Sequence, residues 1–271
     1  MTLVRLDRED AIGVLTLSRS EMHNALVPEL LEAVLAALAE VAADPGLRAL
    51  VFAAEGPAFS IGGDMRRFHA ASEAGNLPDY AGHIVGVLNE VVLAMTALPQ
   101  PIVAAVHGTV TGGSLGFLMG ADLVVMAEDA VVKSHYASAG FCPDGGWTAV
   151  LPAVIGPRRA AEALLLNRSI SAAKALEWGI VNALAAADDV LPRALEMACK
   201  IAAYPVGTMR HSKRLLGMPR EELANRLEAE RQGFLQLIAG AEARNGLAAF
   251  LQQFTSYPGG SGDHAAAPRP L

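Results

Sequence analysis

The sequence predicts an α/β fold, in which helices flank a β-sheet, followed by a C-terminal helical region. Between residues 28 and 183, segments with helical periodicity alternate with short, continuously apolar runs. Such runs are typical of strands in a sheet that is covered on both faces. Beyond Asp188 only helical periodicity remains. We therefore expect a core domain over residues 1–190, a helical region over residues 191–256 and a flexible tail over residues 257–271.

The elements of the predicted core follow in order along the chain. Alternation of apolar and polar residues predicts an opening β-hairpin, with apolar positions at Val4, Leu6, Ile12, Val14 and Leu17. From Pro28 the apolar residues recur every three or four positions, which is typical of a helix that ends near Asp44. A second helix is predicted over residues 80–98, and strands over residues 50–54, 102–106, 123–127 and 131–132. Later helices are predicted over residues 190–203, 206–216, 221–238 and 246–254.

Composition argues against several classes of function. The 271 residues carry 28 acidic and 21 basic side chains, a net charge of −7, which does not fit a nucleic-acid partner. The longest apolar runs are much shorter than the roughly 18 residues that a membrane span needs. Cys142 and Cys199 form no disulfide or metal-binding pattern and the histidines are scattered, so no metal site is expected. The charged first ten residues lack a signal-peptide core, so we expect a cytoplasmic location.

Two glycine-rich turns each follow a predicted buried strand. The first is the segment 59–64 (FSIGGD) and the second is the segment 107–114 (HGTVTGGS). Glycine adopts positive φ angles and lets a ligand approach the backbone. If a helix begins after each turn, its first N–H groups lack acceptors within the helix. Two such turns facing each other would donate a pair of hydrogen bonds to one anionic oxygen. The alternative is that both are ordinary tight turns.

Asp144 lies in a third glycine-rich turn and has two interpretations. It could cap the following helix, with its oxygens accepting hydrogen bonds from free N–H groups. It could also be a general base, because a carboxylate among Phe141, Cys142 and Trp147 would be poorly hydrated and its pKa would rise. Cys142 itself is interpreted as a small buried side chain rather than a nucleophile.

Ser114 is a candidate nucleophile for a different class of enzyme. Residues 112–116 (GGSLG) match the G-x-S-x-G pattern of α/β-hydrolases. The catalytic triad would need a histidine later in the chain, for which His135, His211 and His264 are the candidates. Residues 108–111 also separate Ser114 from the end of the preceding strand. A serine hydrolase is therefore only an alternative.

Several of these segments together resemble the crotonase superfamily of enoyl-CoA hydratases and isomerases. The resemblance covers about residues 3–255 and is carried by the segments 24–26, 59–64, 108–113, 121–123, 143–146, 171–182 and 246–250. The segment 171–182 (SAAKALEWGIVN), together with the segment 246–250 (GLAAF), is specific in its spacing.

The resemblance implies a spiral of ββα units with a C-terminal helical region that mediates trimerisation, as a homotrimer or a homohexamer. It also implies an acyl-CoA thioester as substrate, so that coenzyme A is part of the substrate and no separate cofactor is expected. By motif position, the backbone N–H groups of Gly63 and Gly113 would bind the thioester oxygen. The residues expected to bind the substrate and its CoA portion are Ala58, Ser60, Ile61, Met65, Gly112 and Trp147.

The sequence departs from the hydratase pattern at two positions. Hydratases of the family carry two glutamates, and the corresponding positions here are Gly116 and, approximately, Tyr136. Asp144 remains, at a position where the single-carboxylate enoyl-CoA isomerases and the ring-opening epoxyphenylacetyl-CoA isomerases are similar. We therefore expect an isomerase in which Asp144 shuttles a proton. The alternatives are a hydratase or other crotonase-type lyase or hydrolase, in which Tyr136 supplies a proton, and a non-catalytic acyl-CoA-binding relative.

Overall fold

A computed structural model describes residues 2–255 of the chain, with side chains as far as residue 250. The described residues form two sheets. Their strands are β1 (Val4–Glu9), β2 (Ile12–Leu17), β3 (Ala49–Ala54), β4 (Ile102–Val106), β5 (Thr109–Thr111), β6 (Leu123–Ala127), β7 (Val131–Lys133), β8 (Ile170–Ser171) and β9 (Ala183–Ala185). The tail expected over residues 257–271 lies outside the described residues.

Helices connect the strands and make up the C-terminal part of the described chain. The core helices are α1 (Pro28–Ala43), α2 (Met65–Glu73), α3 (Leu77–Ala97), α4 (Leu115–Gly120), α5 (Tyr136–Ala139), α6 (Leu151–Ile155), α7 (Pro157–Leu165) and α8 (Ala172–Trp178). The C-terminal helices are α9 (Val190–Ala203), α10 (Val206–Leu216), α11 (Arg220–Ile238) and α12 (Ala241–Thr255).

The larger sheet has six strands in the order β1-β2-β3-β4-β6-β9. The opening hairpin is antiparallel, with Glu9 paired to Ile12, and the later pairings are all parallel. Every residue of β2 and β4 is buried. Because neither face of β4 reaches solvent, its sequence is continuously apolar rather than alternating, whereas β2 contains one buried polar residue, Thr16.

The smaller sheet has the order β5-β7-β8, and β5 lies in the second glycine turn. The segment that enters the first turn pairs in parallel with the start of the second, through a bridge between Ser60 and Val110. On its other side the same segment pairs with the chain before α1, through a bridge between Leu26 and Gly63. The first turn is therefore held between two neighbouring segments that are distant in the sequence.

The helix α3 lies in the core and is the longest of the described helices. By length and composition it is the one described helix that could cross a membrane, with a mean hydropathy of 1.3 over its most apolar window. Half of that window is buried inside the protein, where α3 packs against α1, α4 and α11. Core packing therefore accounts for its apolar sequence.

The C-terminal helices pack directly on the core. The helix α9 lies against β3, β4 and β6, α11 lies along α3, and α12 contacts α2 and α5. Lys213 of α10 attaches to the core through an ion pair of 2.8 Å with Asp122 and hydrogen bonds of 3.1 Å to the carbonyl oxygens of Met95 and Gln100. Burial lowers the pKa of Lys213. The domain boundary near residue 190 stays a prediction.

The hairpin, the helix from Pro28 and the four predicted later strands of the core are confirmed. The helix expected over residues 80–98 begins earlier, at Leu77. Three short strands and five core helices, α2 and α5 to α8, were missed. The strands β5, β8 and β9 have only two or three residues each, which is too short for a periodic pattern. The helix α2 buries only Phe68 and Ala71, so its sequence carries almost no apolar stripe.

Candidate active site

A cavity of about 90 Å³ lies where the two glycine turns meet α3, α5 and α11. Its walls are mostly apolar. They comprise Leu26, Ile61, Gly62, Gly63, Met65, Phe68, Ile84, Val85, Leu88, Thr111, Gly112, Gly113, Ser134, His135, Tyr136, Ala139, Phe141, Asp144, Phe234 and Phe250. Among these lining residues Asp144 is the only carboxylate. An apolar cavity with a few converging polar groups is the usual form of a small-molecule site.

Gly63 of the first glycine turn lines the cavity. The amide of Leu26 donates to the carbonyl oxygen of Gly62 at 2.7 Å, and the amide of Asp64 donates to Leu26 at 3.0 Å. Because the C=O and N–H of a trans peptide unit point in opposite directions, and the C=O of Gly62 points to Leu26, the N–H of Gly63 faces away from Leu26. Gly62 has φ +75°, and a Cβ there would lie 2.7 Å from the carbonyl oxygen of Thr111. Only glycine fits this position.

The second glycine turn presents the N–H of Gly113. Residues 112–114 form a single turn of 3₁₀-helix, and the N–H groups at the start of a helix have no acceptor within it. Within the described part of the chain, neither the Gly63 amide nor the Gly113 amide donates to a protein acceptor. The expected pair of free donors is therefore found beside one cavity, although contact with a thioester oxygen stays a prediction.

A buried ion pair supports the first turn. Arg19 donates to the carboxylate of Asp64 at 2.8 Å, and both side chains are almost fully buried. The other oxygen of Asp64 accepts from the amide of Arg66 and so caps α2. Arg19 also donates to the carbonyl oxygen of Ala25 at 2.8 Å. Asp64, the residue next to Gly63, is thus bonded both to Arg19 and to the first turn of α2.

Asp144 is buried beside the second turn. A Cβ atom on Gly113 would lie 3.1 Å from Oδ1 of Asp144, so the carboxylate is in contact with the backbone of that turn. The hydroxyl of Tyr136 donates to the same Oδ1. Burial raises the pKa of Asp144 to about 7, against the lowering effect of the Tyr136 hydrogen bond. The pKa of Tyr136 is also raised, by burial first, so this phenol keeps its proton and acts as a donor.

The helix-cap interpretation of Asp144 is wrong. Gly145 and Gly146 both have positive φ, +64° and +92°, so the chain after Asp144 turns in the left-handed region. The next α-helix begins only at Leu151. The carboxylate therefore has no helix N-terminus to cap, and it contacts the cavity instead.

A further buried carboxylate, Glu230, was not found from the sequence. Its side chain is 3% exposed and accepts hydrogen bonds from three amides of the segment 146–149 and from the hydroxyl of Thr148. A signal was present. Glu230 falls three residues after Leu227 and four before Phe234, inside the buried stripe of α11. An acidic residue in such a stripe needs buried partners.

The structure brings some of the predicted binding residues to the cavity. Ile61, Met65 and Gly112 line it, whereas Ala58, Ser60 and Trp147 do not. The Ser60 hydroxyl donates to the carbonyl oxygen of Asn24 at 2.7 Å, and the Trp147 indole donates to Gly112 at 2.8 Å, so both side chains support the turns. The assignment of these residues to substrate binding stays a prediction.

The geometry of Ser114 does not favour a serine hydrolase. Its side chain is fully buried and does not line the cavity. The hydroxyl accepts from the amide of Thr111 at 3.1 Å and lies 2.6 and 3.0 Å from the carbonyl oxygens of Thr111 and Ser60. These contacts brace the two glycine turns against each other and involve no histidine. In the described residues, no group of three or more His, Cys, Asp or Glu side chains could hold a metal ion.

Comparisons with known proteins identify the family of the chain. A family model described as enoyl-CoA hydratase/isomerase matches residues 7–257. The chain is 29% identical over 246 residues to 1,2-epoxyphenylacetyl-CoA isomerase of Escherichia coli K12, covering 90% of this chain and 93% of that protein. It is 30% identical over 202 residues to 4-chlorobenzoyl coenzyme A dehalogenase-2 of an Arthrobacter species, covering 74% and 73%. The crystal structure of an enoyl-CoA hydratase from Mycobacterium avium subsp. paratuberculosis K-10 superimposes with a TM-score of 0.81 at 25% identity, covering 93% of this chain and 96% of that one.

The chain therefore belongs to the enoyl-CoA hydratase/isomerase family of acyl-CoA enzymes, and the crotonase superfamily expected from its motifs is confirmed. The predicted α/β fold class with a helical C-terminal region is confirmed as well. The relatives named above are an isomerase, a dehalogenase and a hydratase. Membership of the family thus leaves open which of these reactions the chain catalyses.

Proposed function

We propose that the protein is an enoyl-CoA isomerase that moves a C=C bond by a one-base proton shuttle through Asp144. The observation that carries this proposal is the position of Asp144. It is the only carboxylate among the lining residues of the cavity, and it lies against the turn that presents the Gly113 amide. A base and an oxyanion donor held side by side are what an enolate-forming reaction needs.

The proposed reaction has two proton transfers. The thioester oxygen of a 3-enoyl-CoA accepts hydrogen bonds from Gly63 and Gly113, and ionised Asp144 removes a proton from C2. The electron pair of the broken C–H bond delocalises onto the thioester oxygen, where each amide is worth about 3–4 kcal/mol to the barrier. Protonated Asp144 then returns the proton to C4, and the double bond ends between C2 and C3.

The pKa of Asp144 suits both steps. A value of about 7 means that the ionised and protonated forms are both available near neutral pH. A group that must first accept and then donate a proton works best when its pKa is near the working pH. Burial is the main cause of the raised pKa, so the apolar surroundings of the carboxylate bring the pKa of Asp144 close to neutral pH.

The two positions that carry glutamates in hydratases support an isomerase. Gly116 does not line the cavity, and a Cβ there would lie 2.9 Å from the side chain of Val92 and 3.3 Å from the carbonyl oxygen of Gly145. A larger side chain would need these neighbours to move. At the second position, the hydroxyl of Tyr136 is engaged with Asp144. We assign Tyr136 to orienting the base rather than to positioning a water molecule.

The substrate part of the proposal follows the same geometry. The CoA portion is proposed to lie along the segment from Ala58 to Met65, with coenzyme A entering only as part of the substrate. The acyl group would occupy the cavity, where Phe68, Phe141 and Phe234 lie within 6.2 Å of one another by ring centroids. Two relatives are named for aryl-CoA thioesters, so aryl and aliphatic acyl groups both belong in a substrate screen.

The chain is also proposed to assemble as a homotrimer or homohexamer. Large apolar side chains are exposed in the single chain at Leu165, Leu166, Leu215 and Leu216, with exposed fractions of 60–87%. Such side chains are suited to an interface between subunits. Light scattering coupled to size exclusion measures the mass in solution, and a monomer at micromolar concentration would contradict this assignment.

The test is Asp144→Asn, assayed with 3-hexenoyl-CoA and with a 2-enoyl-CoA. We expect the wild type to convert the 3-enoyl thioester to the 2-enoyl thioester, and the variant to be about 10²–10⁴-fold slower. Product analysis identifies the reaction, because 3-hydroxyacyl-CoA formed from a 2-enoyl-CoA would indicate a hydratase. Exchange of the C2 protons of a bound acyl-CoA with D₂O separates an enzyme from a binding protein. Unchanged isomerisation by the variant would remove Asp144 from the mechanism.

A further inference from the structure

Among the described side chains that the proposed reaction does not use, Glu230 is buried and accepts four hydrogen bonds. Its carboxylate Oε2 accepts from the amide of Gly146 at 2.8 Å. Its Oε1 accepts from the amides of Thr148 and Ala149 at 2.6 and 2.9 Å and from the Thr148 hydroxyl at 2.8 Å. Four hydrogen bonds from a segment without regular structure therefore converge on one side chain of α11, 81–84 residues away in the sequence.

We propose that Glu230 is a positioning residue for Asp144. It holds the segment 144–149 so that the Asp144 carboxylate stays against Gly113, and it places a second negative charge near that carboxylate. The proposal deepens the proposed function and rests on Asp144 as its base. Glu230 does not line the cavity, so it would act on the reaction only through Asp144.

The backbone path from Glu230 to Asp144 is short and rigid. Gly146, which donates to Glu230, is two residues from Asp144 and has φ +92°. Between them, Gly145 packs against the second turn, where a Cβ would lie 2.7 Å from the Cα atom of Gly113. Loss of the Glu230 hydrogen bond at Gly146 therefore loosens the segment at the point where it contacts the turn that presents the oxyanion donor.

The electrostatic effect has a defined direction. Asp144 is faced by Tyr136 from α5, by Cys142 from its own loop and by Glu230 from α11, while the facing residue from α3 is the apolar Leu88. The negative charge of Glu230 raises the pKa of Asp144, in addition to the larger effect of burial. Burial also raises the pKa of Glu230, but four donated hydrogen bonds oppose that rise and favour the ionised form.

A basic residue, Arg226, also contacts this segment. Arg226, one turn before Glu230 on α11, lies 3.5 Å from the carbonyl oxygen of Ala149 and pairs with Glu222 at 2.7 Å. It is half-exposed, so solvent screens its charge. The charge of Glu230 thus acts on Asp144 with little compensation.

The decisive variant is Glu230→Gln, which preserves size but removes the charge and places an amide where one oxygen accepts hydrogen bonds. The matched control is Glu228→Gln, the same change on the same helix at an exposed residue that pairs with Arg231. A second control, Thr148→Val, removes one of the four hydrogen bonds and keeps the charge. Thermal unfolding of each variant reports whether the fold is retained.

Two measurements test the proposal, and the first of them requires no catalytic turnover. Carbon-13 NMR titration of the carboxyl groups gives the pKa of Asp144, with its signal identified by its absence in Asp144→Asn. We expect this pKa to fall in Glu230→Gln and to stay in place in both controls. With 3-hexenoyl-CoA, the acid limb of the kcat/KM profile should move to lower pH by the same amount, and kcat should fall about 10- to 100-fold from misplacement of the base.

The outcomes separate this proposal from the proposed function. An unchanged Asp144 pKa in Glu230→Gln, or an equal fall in Glu228→Gln, would overturn the positioning role. Loss of thermal stability and rate without movement of the pH profile would also overturn it, because that is the result of a purely structural residue. If Asp144→Asn still isomerises while Glu230→Gln lowers the Asp144 pKa, the assignment of Asp144 as the base fails and the electrostatic link between the two carboxylates stands.

Discussion

Gly145 and Gly113 lie in backbone contact, close enough that a Cβ atom on Gly145 would come within 2.7 Å of the Cα atom of Gly113. The contact joins the loop that carries Asp144 to the turn that presents a free amide. Because this packing fixes the backbone of the loop against the backbone of the turn, it limits the distance between the base and the oxyanion donor. The packing of the fold therefore helps to set the distance between Asp144 and the Gly113 amide.

The first prediction concerns this contact. Gly145→Ala introduces a left-handed alanine, which costs about 1–2 kcal/mol, and adds a clash with Gly113. The matched control is Gly179→Ala, because Gly179 also has positive φ, +80°, but has open space where its Cβ would lie. We expect Gly145→Ala to lose more free energy of unfolding than the control and to lose activity, as measured by urea denaturation and by turnover. Equal losses in the two variants would show that the contact does not hold the site together.

The second prediction concerns the pH dependence of catalysis. A general base must be ionised, so kcat/KM should rise as pH increases through the Asp144 pKa of about 7 and level off above it. The Tyr136 hydrogen bond lowers the pKa of Asp144, so Tyr136→Phe should move this limb to higher pH. The direction is opposite to that expected for Glu230→Gln. A limb that stays in place in Tyr136→Phe would indicate that another group titrates.

The third prediction concerns stability against pH. The pKa of Asp144 rises from 3.8 to about 7 on folding, so the native state holds the proton more tightly. As pH rises from about 4 to 7, ionisation therefore costs stability, up to about 4 kcal/mol. Asp144→Asn removes this cost. The free energy of unfolding of Asp144→Asn should exceed that of the wild type at pH 8 and approach it near pH 4. The control is Asp129→Asn at an exposed position, for which the difference in free energy of unfolding from the wild type should be small at both pH values.

The fourth prediction concerns the ion pair beneath the first turn. Arg19→Met leaves the buried Asp64 carboxylate without its partner, and a loss of about 3–5 kcal/mol in the free energy of unfolding is expected. Arg67→Met is the control, because the Arg67–Glu29 pair is half-exposed on both sides and contributes about 0–1 kcal/mol. Urea denaturation measures both. A loss for Arg19→Met no larger than that of the control would show that the ion pair does not stabilise the turn.

Elements with a strong local pattern were predictable. The helix α1 was expected from Pro28, and the buried strands β3, β4 and β6 were expected from their apolar runs, because periodicity and continuous burial are written in neighbouring residues. The helix α2 was missed because it rests on few buried residues, and it is fixed instead by the cap from Asp64 and by packing against α12.

The catalytic assignment of Asp144 shows where local reasoning stops. Both interpretations, helix cap and buried base, fit the residues around it. The positive φ angles of Gly145 and Gly146 exclude the cap, and Gly145 packs against Gly113, about 30 residues earlier in the chain. Glu230 was hidden for the same reason, since its partners lie more than 80 residues earlier in the chain.

The sequence by itself determined the family, the glycine turns with their free amides and the presence of a lone aspartate in a third turn, because each depends on residues that are adjacent along the chain. Tertiary structure decided that Gly63, Gly113 and Asp144 line one cavity and that Glu230 accepts hydrogen bonds from the segment after Asp144. Asp144 is buried, and its pKa is raised, because α3, α5 and α11 pack around the carboxylate and shield it from solvent.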